Sequence, residues 1–127
     1  MLHLVSHVKR AVILRHTLPD GSWHHDWLVQ RSANPTDPVP SFRTGHARPD
    51  NPGSFDAEQI GDHRALYLDY EGEVTGGRGE VARLVTGEVL SATWSRDHIG
   101  LEIRFQNKKI VYMGEVLDSG RWIFTAR

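Results

Sequence analysis

The stretch Ile99-Gly100-Leu101-Glu102-Ile103-Arg104-Phe105 decides the fold class, because its apolar and charged residues alternate. Successive side chains along a β-strand point to opposite faces of a sheet, so the large apolar side chains share one face while Glu102 and Arg104 share the other. An amphipathic helix would instead repeat about every 3.6 residues. The stretch therefore predicts a β-strand with one buried face.

Segments of the same kind lie on both sides of this strand and are separated by turns. The clearest turn is residues 18–22, in which Pro19 presets φ and Gly21 supplies a positive φ, so the flanking strands should form a hairpin. Short strands at short intervals favour an antiparallel β-barrel or sandwich. We predict an all-β single domain over residues 1–127, with a minor helix. The predicted strands are residues 8–16, 23–31, 65–70, 80–85, 89–94, 99–105, 110–116 and 121–125.

Residues 32–62 break this pattern. Prolines spaced among Asn, Asp, Gly and Ser predict a long Pro-rich loop. Within it, residues 40–44 are the candidate for a short strand and residues 55–60 for one helical turn. A loop of this length inside a compact domain is more often functional than idle, so we expect it to shape a substrate entrance.

The charge balance limits the function classes. The chain has 15 basic and 16 acidic side chains and a formal net charge of −1. Strong duplex binding without regard to sequence usually requires a basic excess, whereas contact with a nucleic-acid end does not. No run approaches the roughly 18 apolar residues of a membrane span, and the first residues do not have the form of a signal peptide. We expect a cytoplasmic protein without membrane association.

The chain has eight histidines and no cysteine. A disulfide framework and a thiolate metal site are therefore excluded. Any metal ion must be held by imidazole and carboxylate groups, which suit manganese, zinc or iron.

Three residues of the first predicted hairpin form a candidate metal site. His24 and Asp26 are two residues apart on one strand and so face the same side, while His25 faces the other. His16, at the end of the partner strand, can supply a third ligand across the turn. Two imidazoles and one carboxylate leave coordination positions open, as a catalytic metal requires. The alternative is that these polar residues only hydrogen-bond to one another.

His63 and Tyr67 form a second candidate group, at the junction of the long loop and a strand. If the strand is regular, the two side chains share a face, where the imidazole could act as a general acid or hold a phosphate oxygen. The alternative is an ordinary strand aromatic and a histidine that caps a loop. The glycine-rich run 76–79 lacks the spacing of a P-loop and is interpreted as a bend. His46 is the other histidine that we expect to approach the site.

The chain resembles, from about residue 10 to its end, the 3′-phosphoesterase module of bacterial DNA ligase D and its free-standing relatives. Residues 63–72, HRALYLDYEG, are similar to the family segment HPLEYxDFEG. The HHD of residues 24–26 is similar to the family's HYD, and the glycine-rich run that ends at Thr86-Gly87 is similar to GxYGAGTVxVWDxG. Residues 119–123, SGRWI, are similar to the closing LxGRWxLxR.

The resemblance implies a compact β-barrel that processes 3′ ends of DNA or RNA in DNA repair, by removing a 3′ phosphate or a terminal ribonucleotide. It implies that His16, His24 and Asp26 hold a divalent ion, with Mn²⁺ preferred and Zn²⁺ or another ion as alternatives. His63 would contact the phosphate, and Tyr67 would support the phosphate or the attacking water. The implied partners are primer-template or nicked DNA ends, together with a ligase or polymerase.

One departure from the family pattern bears on activity. The family keeps an Arg two residues after the Asp of HYD, where it grips the phosphate, whereas this chain has Leu28. Leu cannot replace a permanently charged, bidentate guanidinium. We predict that Arg43, on the presumed next strand, supplies this group, with Arg48 and Arg64 as alternatives. Two rival functions stay open: a module that binds metal or nucleic-acid ends without catalysis, and a phosphoesterase that acts on a small nucleotide.

Overall fold

A computed structural model of the chain describes residues 8–127. His3 and His7 lie outside the described residues. Between residues 8 and 127 no helix reaches the length and apolarity that crossing a bilayer requires. A single 3₁₀ helix, Ala65–Leu68, interrupts the β structure of this part of the chain. The strands are β1 (Lys9–Thr17), β2 (Trp23–Val29), β3 (Val39–Gly45), β4 (Gly53–His63), β5 (Gly72–Glu73), β6 (Glu80–Trp94), β7 (His98–Phe105), β8 (Lys108–Asp118) and β9 (Arg121–Ala126).

The strands form one antiparallel sheet that closes on itself. Neighbouring strands follow the order β1-β2-β3-β4-β9-β8-β7-β6, and β1 pairs with β6 to complete the ring. The short β5 adds to the beginning of β6. Closure gives each of the eight ring strands a partner on both sides, which removes open sheet edges. The prediction of an all-β, barrel-like antiparallel fold is confirmed.

The interior of the ring is an aromatic core. The Trp27 ring is fully buried, and its centroid lies 4.9 Å from that of Tyr112 and 5.2 Å from that of Phe124. Gly114 faces the Phe124 ring, where a Cβ would overlap the aromatic carbons. Burial of each large apolar side chain contributes about 1.5–3 kcal/mol. The cluster is Ala11, Ile13, Trp27, Val29, Phe42, Phe55, Ala57, Val89, Ile99, Leu101, Ile103, Phe105, Ile110, Tyr112, Trp122, Phe124 and Ala126.

A second apolar cluster lies on the outer face of β1 and β2. Val12 pairs directly with Leu28, and both side chains are fully buried. The 3₁₀ helix covers them with Leu68. An ion pair of 2.7 Å between Arg10 and Asp69 fixes the end of this helix to β1. The covered outer face is the one that carries the predicted metal ligands farther along the same two strands.

The predicted Pro-rich loop over residues 32–62 is wrong for most of its length. Val39–Gly45 forms β3, which extends the strand predicted at residues 40–44, and Gly53–His63 forms β4 where one helical turn is expected. β4 buries only two of its 11 residues, so its sequence carries little strand signal. It pairs nevertheless with β3 and with β9, and this pairing outweighs the local preference.

Two smaller predictions also differ from the structure. Residues 65–70 are predicted as a strand but begin with Ala65–Leu68, where backbone N–H groups bond to carbonyls three residues earlier. The turn expected near Gly87 is replaced by continuous strand, since β6 runs through this residue. Gly87 packs against the Phe105 ring, where a Cβ would overlap it. Close packing inside the ring, and not a turn, accounts for this glycine.

Candidate metal centre

The register of β1 and β2 brings the three predicted metal ligands together. His16 pairs directly with His24, and Asp26 follows His24 two residues later on the same face. His25 lies on the opposite face, where its Nδ1 is 3.0 Å from the carbonyl oxygen of Ala47. Strand alternation therefore places two imidazoles and one carboxylate side by side outside the ring.

The spacing within this group is close to what one ion requires. One ligand atom from each of His16, His24 and Asp26 lies within 4.8 Å of the others. His24 Nε2 is 3.3 Å from Asp26 Oδ1, and His16 Nδ1 is 3.7 Å from Asp26 Oδ2. Neighbouring ligands of one ion are about 3.0–3.4 Å apart when the metal–ligand bonds are about 2.1 Å. Among residues 8–127, no other group of three His, Asp or Glu side chains has such spacing.

Two atoms of the group are buried without a hydrogen bond. Asp26 is 2% exposed, and its Oδ1 and His24 Nε2 lie 3.3 Å apart without a well-formed hydrogen bond to each other or to any other atom of the described part of the chain. A buried polar atom is nearly always paired, because leaving it unpaired costs about 1–3 kcal/mol. A cation between the two atoms would bind both. The residues therefore fit a divalent ion, and their donor types suit Mn²⁺ or Zn²⁺.

The glycine-rich turn before β6 orients His16. Its Nε2 is 2.7 Å from the carbonyl oxygen of Arg78, which only accepts hydrogen bonds, so in the neutral imidazole the lone pair is on Nδ1, on the side of Asp26. Metal-binding histidines are usually held in this manner. Gly79 allows this turn to lie close to β1, since its φ is +92° and a Cβ would overlap the Thr17 carbonyl oxygen. The run that the sequence indicates only as a bend thus also positions a candidate ligand.

Burial sets the charge state of His24. Removal from water disfavours the imidazolium form and lowers the pKa of His24 below its ordinary value. The neighbouring Asp26 carboxylate acts in the opposite direction, but burial is the larger effect. His24 is therefore neutral at pH 7, which is the form that binds metal ions.

A pocket of about 440 Å³ opens beside the three residues. Arg43 lines it and pairs with Asp26 across β2 and β3, with Arg43 Nε 3.6 Å from Asp26 Oδ1. Leu28 is buried beneath the 3₁₀ helix. Of the two alternative arginines, Arg64 also lines the pocket, whereas Arg48 forms an ion pair with Asp50 outside it. Arg43 thus has the guanidinium nearest to the candidate carboxylate ligand.

His63 and Tyr67 line the same pocket, although they do not share a strand. β4 ends at His63 and Tyr67 belongs to the 3₁₀ helix, yet their ring centroids lie 5.5 Å apart in an edge-to-face contact. His63 Nδ1 is 2.8 Å from the Oγ of Ser41, a residue with no exposed surface. Burial lowers the pKa of His63. No sequence motif indicates the Ser41 contact, because β3 and β4 meet only in the folded sheet.

His46 does not line the pocket, so the expectation that it approaches the site is wrong. Its ring stacks on Trp23 with 4.0 Å between centroids, and its Nε2 is 3.1 Å from the Trp23 carbonyl oxygen. Trp23 also contacts His25, on the face opposite the candidate ligands. Strand alternation thus separates His46 from the group of three.

A larger cavity, of about 860 Å³, lies elsewhere and includes Leu66 and Pro35 in its wall. Its charged side chains, Arg10 and Asp69, already bind each other. The smaller pocket combines a potential ion site with three arginine side chains. We therefore place the candidate functional site at the smaller pocket.

No protein-family model matches this chain, and no curated protein matches it. The resemblance to the ligase D phosphoesterase module therefore depends on its sequence motifs alone.

Proposed function

We propose that this chain is a divalent-metal-dependent phosphoesterase that processes 3′ ends of DNA or RNA in DNA repair, with Mn²⁺ as its ion. The observation that carries the proposal is that the buried His24 Nε2 and Asp26 Oδ1 make no well-formed hydrogen bond and lie beside a pocket lined by arginine and histidine. A site for a cation next to cationic side chains suits a ligand with several negative oxygens. The motif resemblance supports the same chemistry.

The ion would be held by His16, His24 and Asp26. When bound, a divalent ion supplies Lewis-acid polarisation of a phosphate oxygen and makes water more acidic. The pocket lining has three arginines and two aspartates, which leaves a positive balance before any ion is counted. Such a pocket would attract a terminal phosphate with its two negative charges.

The remaining residues would act on the phosphate and the water. Arg43 would neutralise charge on the phosphoryl oxygens as the reaction proceeds, because its Nε has no hydrogen-bond partner in residues 8–127. The Tyr67 hydroxyl would orient the phosphate or the water by hydrogen bonding. His63 would lie against the reacting group from the end of β4. The products would be a 3′ hydroxyl and inorganic phosphate, or a shortened strand, which a ligase or polymerase could then use.

Release of inorganic phosphate from a 3′-phosphorylated primer annealed to a template tests the proposal. We expect Mn²⁺-dependent release by the wild-type chain and loss of at least about 100-fold in His24→Ala and Asp26→Ala. His98→Ala is the matched control, because His98 is exposed and pairs only locally with Asp97. Release that continues unchanged in the two ligand variants would refute the assignment.

A binding module without catalysis is the second candidate, and the buried Leu28 in place of the family's phosphate-binding Arg favours it. Tight Mn²⁺ binding without release from any 3′ end would support that function. A phosphoesterase for small nucleotides is the third, and a higher kcat/KM for a nucleoside 3′-phosphate than for the primer would support it.

A further inference from the structure

The hydroxyl group of Ser41 lies where the ladder between β3 and β4 is irregular. The register shifts between Val39 and Ser41, and the backbone N–H of His63 donates to Ser41 Oγ at 3.3 Å. Ser41 has no exposed surface. A hydroxyl in this position is costly to bury unless its bonding capacity is used, so its partners define its role.

The three partners of this hydroxyl use its full capacity. Ser41 Oγ is 2.9 Å from the Val39 carbonyl oxygen, and it contacts both the backbone nitrogen and the Nδ1 of His63, the latter at 2.8 Å. A hydroxyl offers one hydrogen and two lone pairs. The carbonyl can only accept, so it takes the hydrogen, and the backbone N–H takes one lone pair.

One lone pair of Ser41 Oγ then remains for the imidazole of His63. Nδ1 must therefore carry a hydrogen and donate it. In the opposite assignment the hydroxyl hydrogen would point at Nδ1. Ser41 Oγ and the Val39 carbonyl oxygen would then lie 2.9 Å apart with no hydrogen between them. In neutral His63 the lone pair is thus on Nε2, at the end of the ring away from Ser41.

We propose that Ser41 is a positioning residue that holds His63 as the Nδ1–H tautomer, so that Nε2 serves as a proton acceptor in the pocket. The tautomer follows from the contacts alone, whereas the catalytic use of Nε2 rests on the proposed function. A neutral Nε2 without a hydrogen cannot donate to a phosphate oxygen. The role of His63 is then that of a base toward water, and Arg43 is left as the donor to the phosphate.

In the corresponding hydrolysis step, His63 Nε2 accepts a proton from the attacking water. The water oxygen forms a bond to phosphorus while one water proton passes to His63 Nε2, and the bond between phosphorus and the 3′ oxygen breaks. The departing 3′ oxygen takes up a proton from solvent and becomes the 3′ hydroxyl. His63 then returns its extra proton to solvent and regains the Nδ1–H form.

The tautomer can be measured without reference to activity. In the ¹⁵N-labelled full chain at pH 8, with and without diamagnetic Zn²⁺, long-range ¹H–¹⁵N correlation spectra distinguish the protonated ring nitrogen from the other one. His63→Gln assigns the signal. We expect Nδ1 of His63 to carry the hydrogen in the wild-type chain, and the Nε2–H form to increase in Ser41→Ala. A wild-type His63 with the hydrogen on Nε2, or an unchanged tautomer in Ser41→Ala, would overturn the proposal.

The catalytic half is tested on the 3′-phosphorylated primer with Mn²⁺. Ser41→Ala should lower kcat by about 10- to 100-fold with little change in KM, because it disturbs a base and not a binding contact. Thr44→Val is the matched control: Thr44 is a buried hydroxyl of the same strand that bonds to the Ala47 carbonyl at 2.9 Å. It should change neither the tautomer nor kcat.

The outcomes of the two experiments separate the claims. An unchanged kcat in Ser41→Ala would overturn the catalytic role of Ser41. A wild-type chain that releases no phosphate but has the Nδ1–H tautomer would refute the proposed function and support the structural assignment of Ser41. If Ser41→Ala does not fold, the wild-type spectrum still decides the tautomer.

Discussion

Addition of Mn²⁺ should stabilise the wild-type chain against heat, and Asp26→Asn should remove most of this effect. The ion would bind two buried atoms that make no well-formed hydrogen bond in the described chain, His24 Nε2 and Asp26 Oδ1. Binding to the folded state alone stabilises it by RT ln(1 + [Mn²⁺]/Kd), or about 2.7 kcal/mol when free Mn²⁺ is about 100 times Kd.

This free energy converts into a melting-temperature shift through the unfolding entropy. At about 2.1 cal/mol/K per residue, a chain of 127 residues has an unfolding entropy of about 0.27 kcal/mol/K. The expected increase in Tm is therefore about 10 °C. Substitution of outer partners of a metal site weakens binding about 10- to 100-fold, so loss of the carboxylate ligand should weaken it by at least about 100-fold. At the same Mn²⁺ concentration the variant should gain only about 1.5 °C.

Differential scanning calorimetry of the wild type, Asp26→Asn and the control His98→Ala measures these shifts. His98→Ala should retain the full increase, because His98 is exposed and is the first residue of β7, where its side chain contacts only Asp97. Equal Mn²⁺-induced shifts in the wild type and Asp26→Asn would refute the reasoning, as would the absence of any shift in the wild type at millimolar Mn²⁺.

Three further predictions concern the surroundings of the site and the fold. Gly79→Ala should destabilise the chain by about 3 kcal/mol, measured by urea unfolding. The φ of Gly79 is +92°, and the new methyl group would overlap the Thr17 carbonyl oxygen of β1. An unchanged stability would contradict this packing. The hydrogen bond from Arg48 lowers the pKa of Asp50 in the folded state, so the stabilisation is present above the unfolded pKa and is lost as pH falls through the folded pKa. The difference in unfolding free energy between the wild type and Asp50→Asn should therefore be larger at pH 7 than at pH 3, and equal differences would be inconsistent with this ion pair. Arg43→Met should lower kcat/KM for the 3′-phosphorylated primer by about 100-fold or more, with the exposed Arg96→Met as the control that leaves it unchanged; equal rates in both variants would exclude a role for Arg43.

The sequence predicts those parts of the fold whose side chains alternate in burial. β7 alternates apolar and polar residues along its length, and the β1–β2 hairpin has a turn with Pro19 and Gly21, so both are evident before folding. β4 is not, since residues 55–60 also fit one helical turn, and one of its two pairing partners, β9, is distant in sequence. The 3₁₀ helix was predicted as a strand, because its few apolar residues fit either periodicity.

The candidate site follows the same division. His24 and Asp26 are found from local spacing, and His16 from the hairpin, because all three depend on one pair of neighbouring strands. Ser41 could not be predicted, since its contact with His63 depends on the register shift between β3 and β4. The role of the Arg78 carbonyl is likewise absent from the sequence, because a backbone atom leaves no side-chain signature.

The position of a bound Mn²⁺ ion tests the central claim most directly. Anomalous diffraction at the manganese absorption edge, from crystals grown with Mn²⁺, would locate the ion independently of how the protein atoms are interpreted. We predict one strong peak about 2.2 Å from His16 Nδ1, His24 Nε2 and a carboxylate oxygen of Asp26, with Arg43 pointing toward the open coordination positions. A peak at any other cluster, or no peak with the three side chains well ordered, would contradict the claim that these residues form a metal centre.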